Sequence, residues 1–224
     1  MTHVEAVLFD LGGTLIKTAC IPKIIKKILS LYGIERSLSE IECAYRKAES
    51  KVTLKDYRLP YMKFWAKWNK MILLELNVTR NIEVLSRLIV ELWWDHADVK
   101  LYPDVEETIR QLKEKKIKMG IVTNGFKKDV DEVLKRVRLP KVFDAIVGVD
   151  SVAKPKPHKE IFLIAVKKLA VKPFQTLFIG DSIEMDYIGA TEAGLNALLI
   201  DRGNYVQRSD IARIRHLTEV INYI

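Results

Sequence analysis

Cysteine is scarce in this chain of 224 residues, and long apolar runs are missing. Cys20 and Cys43 are too few for a disulfide framework and lack the paired CxxC spacing of a metal or redox site. We therefore expect free thiols and a reducing, cytoplasmic location. No apolar run reaches the ~18 residues of a membrane-spanning helix, and the N-terminus enters an apolar strand instead of showing a signal-peptide pattern.

Signals for nucleotide and nucleic-acid binding are missing too. Gly12 and Gly13 follow the first apolar run, but they fit neither the GxGxxG spacing of dinucleotide-binding folds nor the GK[ST] ending of a P-loop. Lysine and arginine outnumber aspartate and glutamate by 37 to 29, which gives a formal net charge of +8. These basic residues are spread over nearly every predicted helix and form no run interleaved with aromatics, so we expect solvated faces and no nucleic-acid partner.

An alternation of strands and helices is present at both ends of the chain. A short apolar run over residues 4–9 predicts a buried strand, and a second series of elements begins near Leu101. This alternation is typical of an α/β fold with a doubly wound, mostly parallel sheet. The later predicted strands cover residues 117–123, 145–149, 176–179 and 197–200, and the predicted helices cover residues 105–115, 127–137, 158–169, 185–193 and, capped by Thr218, 219–224.

Between these two series the apolar period is purely helical. Four helices are predicted, and their aromatic residues are interpreted as packing between helices. We expect an all-helical domain over residues 17–96, inserted into an α/β core of residues 1–16 and 97–224. The helix signals are a stripe of Ile21, Ile24, Ile25, Ile28 and Leu29 ended by Gly33, a Ser39–Glu42 capping box, Pro60 and Thr79.

Polar residues follow four of the predicted strands. In open α/β sheets, ligands bind beyond the carboxyl ends of the strands, so these residues are expected to converge on one crevice. Carboxylates, a hydroxyl, a lysine and turn amides suit phosphoryl transfer to a carboxylate nucleophile, with Mg²⁺ held by oxygen ligands. The motifs are Asp10–Leu15 (DLGGTL), Thr123-Asn124-Gly125, Lys154-Pro155-Lys156-Pro157, and Gly180-Asp181-Ser182 with Asp186 five residues after Asp181.

In the identity and order of these four motifs the chain resembles the haloacid dehalogenase superfamily, whose members mostly hydrolyse phosphate esters through an aspartyl-phosphate. The resemblance covers the whole predicted core. It implies that Asp10 is the nucleophile and that the Thr123 hydroxyl binds phosphate, with Asn124 and Gly125 offering nearby amides. It also implies that Lys154 holds the nucleophile and the phosphate together.

The same resemblance implies a magnesium site and a lid. Asp181 is the expected principal Mg²⁺ ligand, with Asp186, Asp10 and the main-chain carbonyl of Gly12 completing the site. The helical insertion lies where one branch of the superfamily carries its cap. The lysines of this lid suit a small phosphorylated or otherwise anionic metabolite.

One position departs from the superfamily's phosphatases. Two residues after the nucleophile they carry a second aspartate, which protonates the leaving group, and here that position is Gly12. Three interpretations therefore stay open: a metal-dependent phosphatase or phosphotransferase, a 2-haloacid dehalogenase or phosphonate hydrolase, and a non-enzymatic phosphate-binding or regulatory protein. The phosphonate chemistry needs a Schiff-base lysine from the cap, for which Lys47 or Lys51 are the candidates.

Overall fold

The computed structural model describes residues 3–139 and 141–224, and the chain divides into two compact units. The α/β unit comprises Met1–Lys17 and Lys100–Ile224, and the helical unit comprises Thr18–Val99. The insertion thus begins and ends slightly later than residues 17 and 96. Lys17 pairs with Lys100 in a short antiparallel ladder of the α/β unit, whereas Ala97 is buried in the core of the helical unit.

The α/β unit is built on a six-stranded parallel sheet with the order β5-β4-β1-β6-β7-β8. Strand β1 lies between β4 and β6, and its last residue, Phe9, is in register with Ile121 and Ile179. The residues that follow these three strands are therefore neighbours at one edge of the sheet. The strands are β1 (Ala6–Phe9), β4 (Lys118–Val122), β5 (Ala145–Val147), β6 (Thr176–Gly180), β7 (Asn196–Ile200) and β8 (Arg213–Ile214), and the separate ladder is β2 (Ile16–Lys17) with β3 (Lys100–Leu101).

Both faces of the sheet are buried, as a doubly wound fold requires. Ala6 and Leu8 belong to a cluster with Phe178 and Phe162, whose rings meet edge to face at 5.0 Å. Side chains alternate along a strand, so Val7 and Phe9 point to the opposite face, and both are also fully buried. The covering helices are α5 (Val105–Glu114), α6 (Lys127–Arg136), α7 (Lys159–Leu169) and α8 (Gly189–Glu192).

Two predicted helices of this unit differ in kind. In place of a regular helix over residues 185–193, a π-helical segment, Ile183–Ile188, leads into α8. In place of a Thr218-capped helix over residues 219–224, a 3₁₀ helix spans Leu217–Tyr223. It begins earlier because the Glu219 carboxylate accepts the Arg215 and His216 N–H groups, at 2.9 and 2.7 Å.

The helical unit has its own apolar core. The predicted stripe of the first helix is buried there except for Ile21, which packs against the core while partly exposed. Tyr45 of the second helix stacks on Trp68 of the third helix at a ring distance of 6.0 Å, and Tyr57 stacks on Phe64 of the third helix at 5.1 Å. The interpretation of the aromatic residues as helix packing therefore agrees with these contacts. The helices are α1 (Ile21–Ser30), α2 (Leu38–Glu49), α3 (Tyr61–Glu75) and α4 (Ile82–His96), with a 3₁₀ turn at Asp56–Arg58.

Two helix starts in this unit were wrongly predicted. The capping box of α2 is formed by Ser37 and Glu40 instead of Ser39 and Glu42, because Ser37 Oγ accepts the Glu40 N–H and Glu40 Oε2 accepts the Ser37 N–H. Helix α4 follows Asn81, which adopts a left-handed conformation, and not Thr79.

Two smaller expectations concern the thiols and the membrane. Cys20 and Cys43 are free and exposed. Over the described ranges, none of the helices combines the length and the apolarity that crossing a membrane needs.

Candidate active site

Asp10 lies at the centre of the carboxyl edge of the sheet. Its N–H donates to the Ile179 carbonyl at 2.8 Å, which extends the pairing of β1 with β6 by one residue. Its side chain is 10% exposed, and Oδ1 accepts the Lys156 ammonium at 2.6 Å. Oδ2 has no hydrogen-bond partner within residues 3–139 and 141–224, so this oxygen is the one available for reaction.

The lysine beside Asp10 is Lys156, and the assignment of Lys154 to this position is wrong. The Lys156 side chain is 3% exposed, and Nζ reaches Asp10 Oδ1 at 2.6 Å and Asp186 Oδ1 at 2.5 Å. Lys154 instead forms an ion pair with Glu160, and its side chain is 43% exposed. The repeat Lys-Pro-Lys-Pro offers two lysines in equivalent sequence contexts, so spacing alone could not identify the buried one.

Asp181 and Asp186 join Asp10 in a three-carboxylate cluster. One oxygen from each lies within 4.8 Å of the other two. Two glycines make room for this cluster: a Cβ on Gly13 would collide with the Asp181 carboxylate, and a Cβ on Gly180 would collide with that of Asp186. Asp186 is further fixed by the Ser182 N–H, which donates to Oδ2 at 3.0 Å across the π-helical segment.

The charges of this cluster are only partly balanced. Burial raises the pKa of Asp10 to about 7; Lys156 opposes this shift, and the charges of Asp186 and Asp181 add to it. Desolvation, followed by the charge of Asp186, also raises the pKa of Asp181. Burial disfavours the Lys156 ammonium, but Asp10 and Asp186 outweigh it and hold the pKa of that lysine above its usual value.

A divalent cation fits this set of donors. Three carboxylates face one ammonium, and hard carboxylate oxygens are the ligands that Mg²⁺ prefers. A bound dication would offset the remaining negative charge and favour the ionised form of Asp10. The carbonyl of Gly12 stays a predicted fourth ligand.

Thr123, Asn124 and Gly125 follow β4, but they do not offer equivalent groups. Thr123 Oγ1 accepts the Gly125 N–H at 3.1 Å and keeps its own hydrogen to donate, while that bond occupies the Gly125 amide. The Asn124 carboxamide binds the main chain of Lys156 through both its oxygen and its nitrogen. Of the predicted phosphate donors, the Thr123 hydroxyl and the Asn124 N–H therefore remain, since the latter has no hydrogen-bond partner among the described residues.

Gly12 could accommodate a side chain. Its backbone lies outside the left-handed region, and a Cβ placed on it meets no atom within 4 Å among the described residues of the α/β unit. Its neighbour Gly13 has φ +78°. Of these two adjacent glycines, only Gly13 is required by the local geometry.

A second polar cluster supports the loop after Asp10, and sequence reasoning missed it. Arg202 donates to both Asp104 oxygens at 2.8 and 3.0 Å and to the Thr14 carbonyl at 2.9 Å. Its guanidinium lies 3.8 Å from the centre of the Tyr102 ring, and Asp104 also accepts the Leu217 N–H at 2.7 Å. We call Arg202, Asp104 and the Thr14 carbonyl the arginine brace. Its members are far apart in sequence, so no local pattern connects them.

Comparison with known proteins gives consistent matches. Residues 4–194 match the model of the haloacid dehalogenase-like hydrolase family. The glyceraldehyde 3-phosphate phosphatase of Methanopyrus kandleri is 29% identical over 97% of this chain and 97% of its own length. The phosphoglycolate phosphatase of Escherichia coli O157:H7 is 25% identical over 98% of this chain and 90% of its own.

Solved structures show the same architecture. A HAD phosphatase from Thermococcus onnurineus superimposes with a TM-score of 0.66 at 27% identity, covering 98% of this chain and 97% of that one. The L-2-haloacid dehalogenase RSc1362 has a TM-score of 0.73 at 20% identity and covers 99% of each chain. The second likeness concerns the fold alone.

Proposed function

Because the chain belongs to the haloacid dehalogenase-like hydrolase family, we propose that it is a Mg²⁺-dependent phosphatase that acts through phosphorylation of Asp10. The observation that carries this proposal is the environment of Asp10. One of its oxygens is held by a buried ammonium, and its other oxygen is left for attack beside two further carboxylates. The two phosphatases that align with almost the whole chain support a small phosphorylated metabolite as the substrate.

In the first step, Asp10 Oδ2 attacks the phosphorus of the substrate. A P–O bond to Asp10 forms, the P–O bond to the leaving group breaks, and its electron pair goes to the leaving oxygen. Lys156 holds Oδ1 and thereby orients the carboxylate, and the Thr123 hydroxyl donates to a phosphoryl oxygen. Gly12 has no proton to give, so the leaving oxygen departs as an anion and takes its proton from solvent.

In the second step, water attacks the phosphorus of the aspartyl-phosphate. The P–O bond to Asp10 breaks, its electrons restore the carboxylate, and the proton of the water passes to solvent. A neighbouring general base typically contributes about 10²–10⁴-fold to such a step. Gly12 cannot supply one, so we expect slow turnover and a preference for aryl or acyl phosphates, whose leaving groups are stable anions.

Mg²⁺ would be held by the carboxylates of Asp10, Asp181 and Asp186. When bound, it supplies positive charge to the phosphoryl oxygens. The carboxylate cluster supports this requirement because Lys156 alone leaves it negatively charged.

Dehalogenation of 2-haloacids is the second candidate, and Gly12 is the observation that favours it. A halide leaves without being protonated, so this chemistry needs no acid at position 12. The three carboxylates argue against it, since an anionic haloacid has no need of a metal site. Phosphonate hydrolysis loses support, because Lys47 and Lys51 of the helical unit both pair with Glu75.

A substrate screen separates these functions. Aryl, acyl and alkyl phosphates and 2-haloacids are each incubated with and without Mg²⁺, and release of phosphate or halide is measured for the wild type and for Asp10→Asn. Mg²⁺-dependent phosphate release that disappears in Asp10→Asn, with Asp10 phosphorylated in the intact-mass and peptide spectra, is the expected result. Metal-independent halide release would favour the dehalogenase, and ligand binding without turnover would favour the binding protein.

A further inference from the structure

We infer that Asn124 is a positioning residue, whose carboxamide fixes the main chain of Lys156 and thereby holds the ammonium of that lysine against Asp10. The Lys156 N–H donates to Asn124 Oδ1 at 2.6 Å, and Asn124 Nδ2 donates to the Lys156 carbonyl at 3.2 Å. We call this pair of bonds the asparagine clamp. The inference rests on the proposed function, since it concerns the geometry of the same site.

The segment that carries Lys156 has few main-chain donors with which to be held. Pro155 and Pro157 flank the lysine and have no N–H group, so Lys156 has the only main-chain donor of residues 155–157. Asn124 accepts that donor. The segment lies between the 3₁₀ turn Val149–Ser151 and α7, and the clamp is its direct link to the strand beside the nucleophile.

The position of Asn124 explains why this link affects Asp10. Asn124 follows Thr123 at the end of β4, and β4 pairs in register with β1, which leads into Asp10. The Lys156 side chain then crosses back to bind Asp10 and Asp186. The clamp therefore connects β1, which carries the nucleophile, through β4 and Asn124 to Lys156, whose ammonium binds the nucleophile.

The chemistry needs that precision. A misplacement of about 1 Å in an active site can cost about 10²-fold in rate. Without the clamp, the loop would move the ammonium away from Asp10 Oδ1 while leaving the Thr123 hydroxyl in place. We therefore expect a loss in kcat with little change in KM, whereas a phosphate-binding carboxamide would mainly change KM.

The first test compares the kinetics of Asn124→Ala with those of Asn196→Ala on an aryl phosphate at saturating Mg²⁺. Asn196 is the matched control, because its Nδ2 also donates to a main-chain carbonyl, that of Phe174 at 2.9 Å, on the exposed start of β7. We expect kcat of Asn124→Ala to fall about 10- to 100-fold with KM within about threefold, and Asn196→Ala to match the wild type. A raised KM with unchanged kcat would overturn the inference and make Asn124 a substrate ligand.

The second test measures amide hydrogen exchange at single residues by NMR, and it needs no activity. The Lys156 N–H should exchange at least about tenfold faster in Asn124→Ala, as a lost hydrogen bond predicts. The N–H groups of Asp10 and Thr123, which bond to strand carbonyls, should stay protected. Unchanged exchange at Lys156 would overturn the clamp even if the protein is a phosphatase, and an inactive wild type with faster exchange at Lys156 would overturn only the proposed function.

Asn124→Asp tests the asparagine clamp if Asn124→Ala does not fold. The aspartate keeps an acceptor for the Lys156 N–H but has no donor for the Lys156 carbonyl. Protection of that N–H should therefore be retained while kcat falls. An Asn124→Asp enzyme with wild-type kcat would contradict the clamp.

Discussion

Gly12 and Gly13 are neighbours in the loop that follows Asp10, but the structure places opposite demands on them. Gly13 has a left-handed backbone and lies against the Asp181 carboxylate, so any side chain there would collide with the carboxylate cluster. Gly12 has neither constraint. The missing acid is therefore a property of the sequence at one position and not a consequence of how the loop folds.

We expect Gly12→Asp to fold like the wild type and to gain activity on alkyl phosphomonoesters. The new carboxyl group can protonate the leaving oxygen, a contribution of about 10²–10⁴-fold in other enzymes, so the gain should be largest for the poorest leaving groups. Values of kcat/KM across a series of alkyl and aryl phosphates, with melting curves, measure both effects. Gly13→Ala is the control and should melt at a lower temperature. A stable Gly12→Asp protein without a gain would show that the absent acid is not limiting.

Lys154 and Lys156 provide a second contrast between nearby residues. Lys156→Ala removes a buried ammonium and leaves Asp10 and Asp186 without it, so we expect turnover to fall by at least about 10²-fold. Lys154→Ala removes only an exposed partner of Glu160, and exposed pairs contribute little. Steady-state kinetics of the two variants decide between these lysines. Equal losses would contradict the structural assignment.

If the carboxylate cluster binds Mg²⁺, removing the Asp181 carboxylate should weaken that binding. Isothermal titration calorimetry should show Mg²⁺ binding to the wild type and at least about tenfold weaker binding to Asp181→Ala, since one of three charged ligands is lost. Glu184→Ala is a matched control, because Glu184 is an exposed carboxylate on the same segment and lies outside the cluster. Equal affinities for the wild type and Asp181→Ala would contradict the metal assignment.

At the scale of elements, the arginine brace connects the loop between β1 and β2, the start of α5 and the segment after β7. Burial alone would raise the pKa of Asp104, but hydrogen bonds from Arg202 and the Leu217 N–H outweigh it and hold the pKa below its usual value. Such a carboxylate stabilises the fold fully above its unfolded pKa of about 3.9, and this contribution is lost as pH falls through the folded-state pKa. The brace should therefore weaken in acid.

Asp104→Asn tests this pH dependence. Near pH 6 the variant should lose about 1–3 kcal/mol of unfolding free energy, because Arg202 keeps a largely buried guanidinium without its charged partner. The difference from the wild type should shrink as pH falls from about 4, the unfolded-state pKa, through the lower folded-state pKa, where the folded wild-type carboxylate also becomes protonated. Urea denaturation over a range of pH measures it, with Asp210→Asn, from an exposed pair with Arg208, as a neutral control. A difference that is constant with pH would contradict the electrostatic origin.

The elements also show how far sequence reasoning extends. The short apolar runs of β1, β4 and β6 and the helical stripe of α1 predicted their structures, because the buried positions of those segments carry apolar residues in a regular pattern. The two-residue strands β2, β3 and β8 are too short to show a period. The cap at Ser37 and the π-helical segment were missed because several serines and carboxylates compete at each start, and the hydrogen bonds that decide between them form only in the folded chain.

In the candidate site too, some residues could be predicted from the sequence and others depend on tertiary hydrogen bonds. Asp10, Thr123, Asp181 and Asp186 each follow or lie close to a strand end, and the sequence places them in one region, where the structure brings them together. Lys156 lies on a loop, and its direction depends on Asn124, a residue 32 positions away. The lysine could not be chosen without the tertiary hydrogen bonds.

At the scale of the whole molecule, the two units have separate apolar cores. All four tryptophans, Trp65, Trp68, Trp93 and Trp94, belong to the helical unit, so their fluorescence follows the unfolding of that unit alone. Mg²⁺ should raise the melting temperature of the α/β unit, by linkage to a folded-state site, and leave the fluorescence transition unchanged. Circular dichroism and fluorescence melts with and without Mg²⁺ measure this, and an equal shift in both would show that the units unfold together.

The β2–β3 ladder has a consequence for the evolution of the chain. The polypeptide leaves the α/β unit after Lys17 and returns at Lys100, and these two residues are cross-strand partners. Cross-strand partners lie only about 5 Å apart. The α/β unit is therefore joined to any inserted module through two adjacent strand ends. Modules of different length or architecture could be exchanged at this junction without altering the sheet, which makes the inserted unit an interchangeable part of the chain.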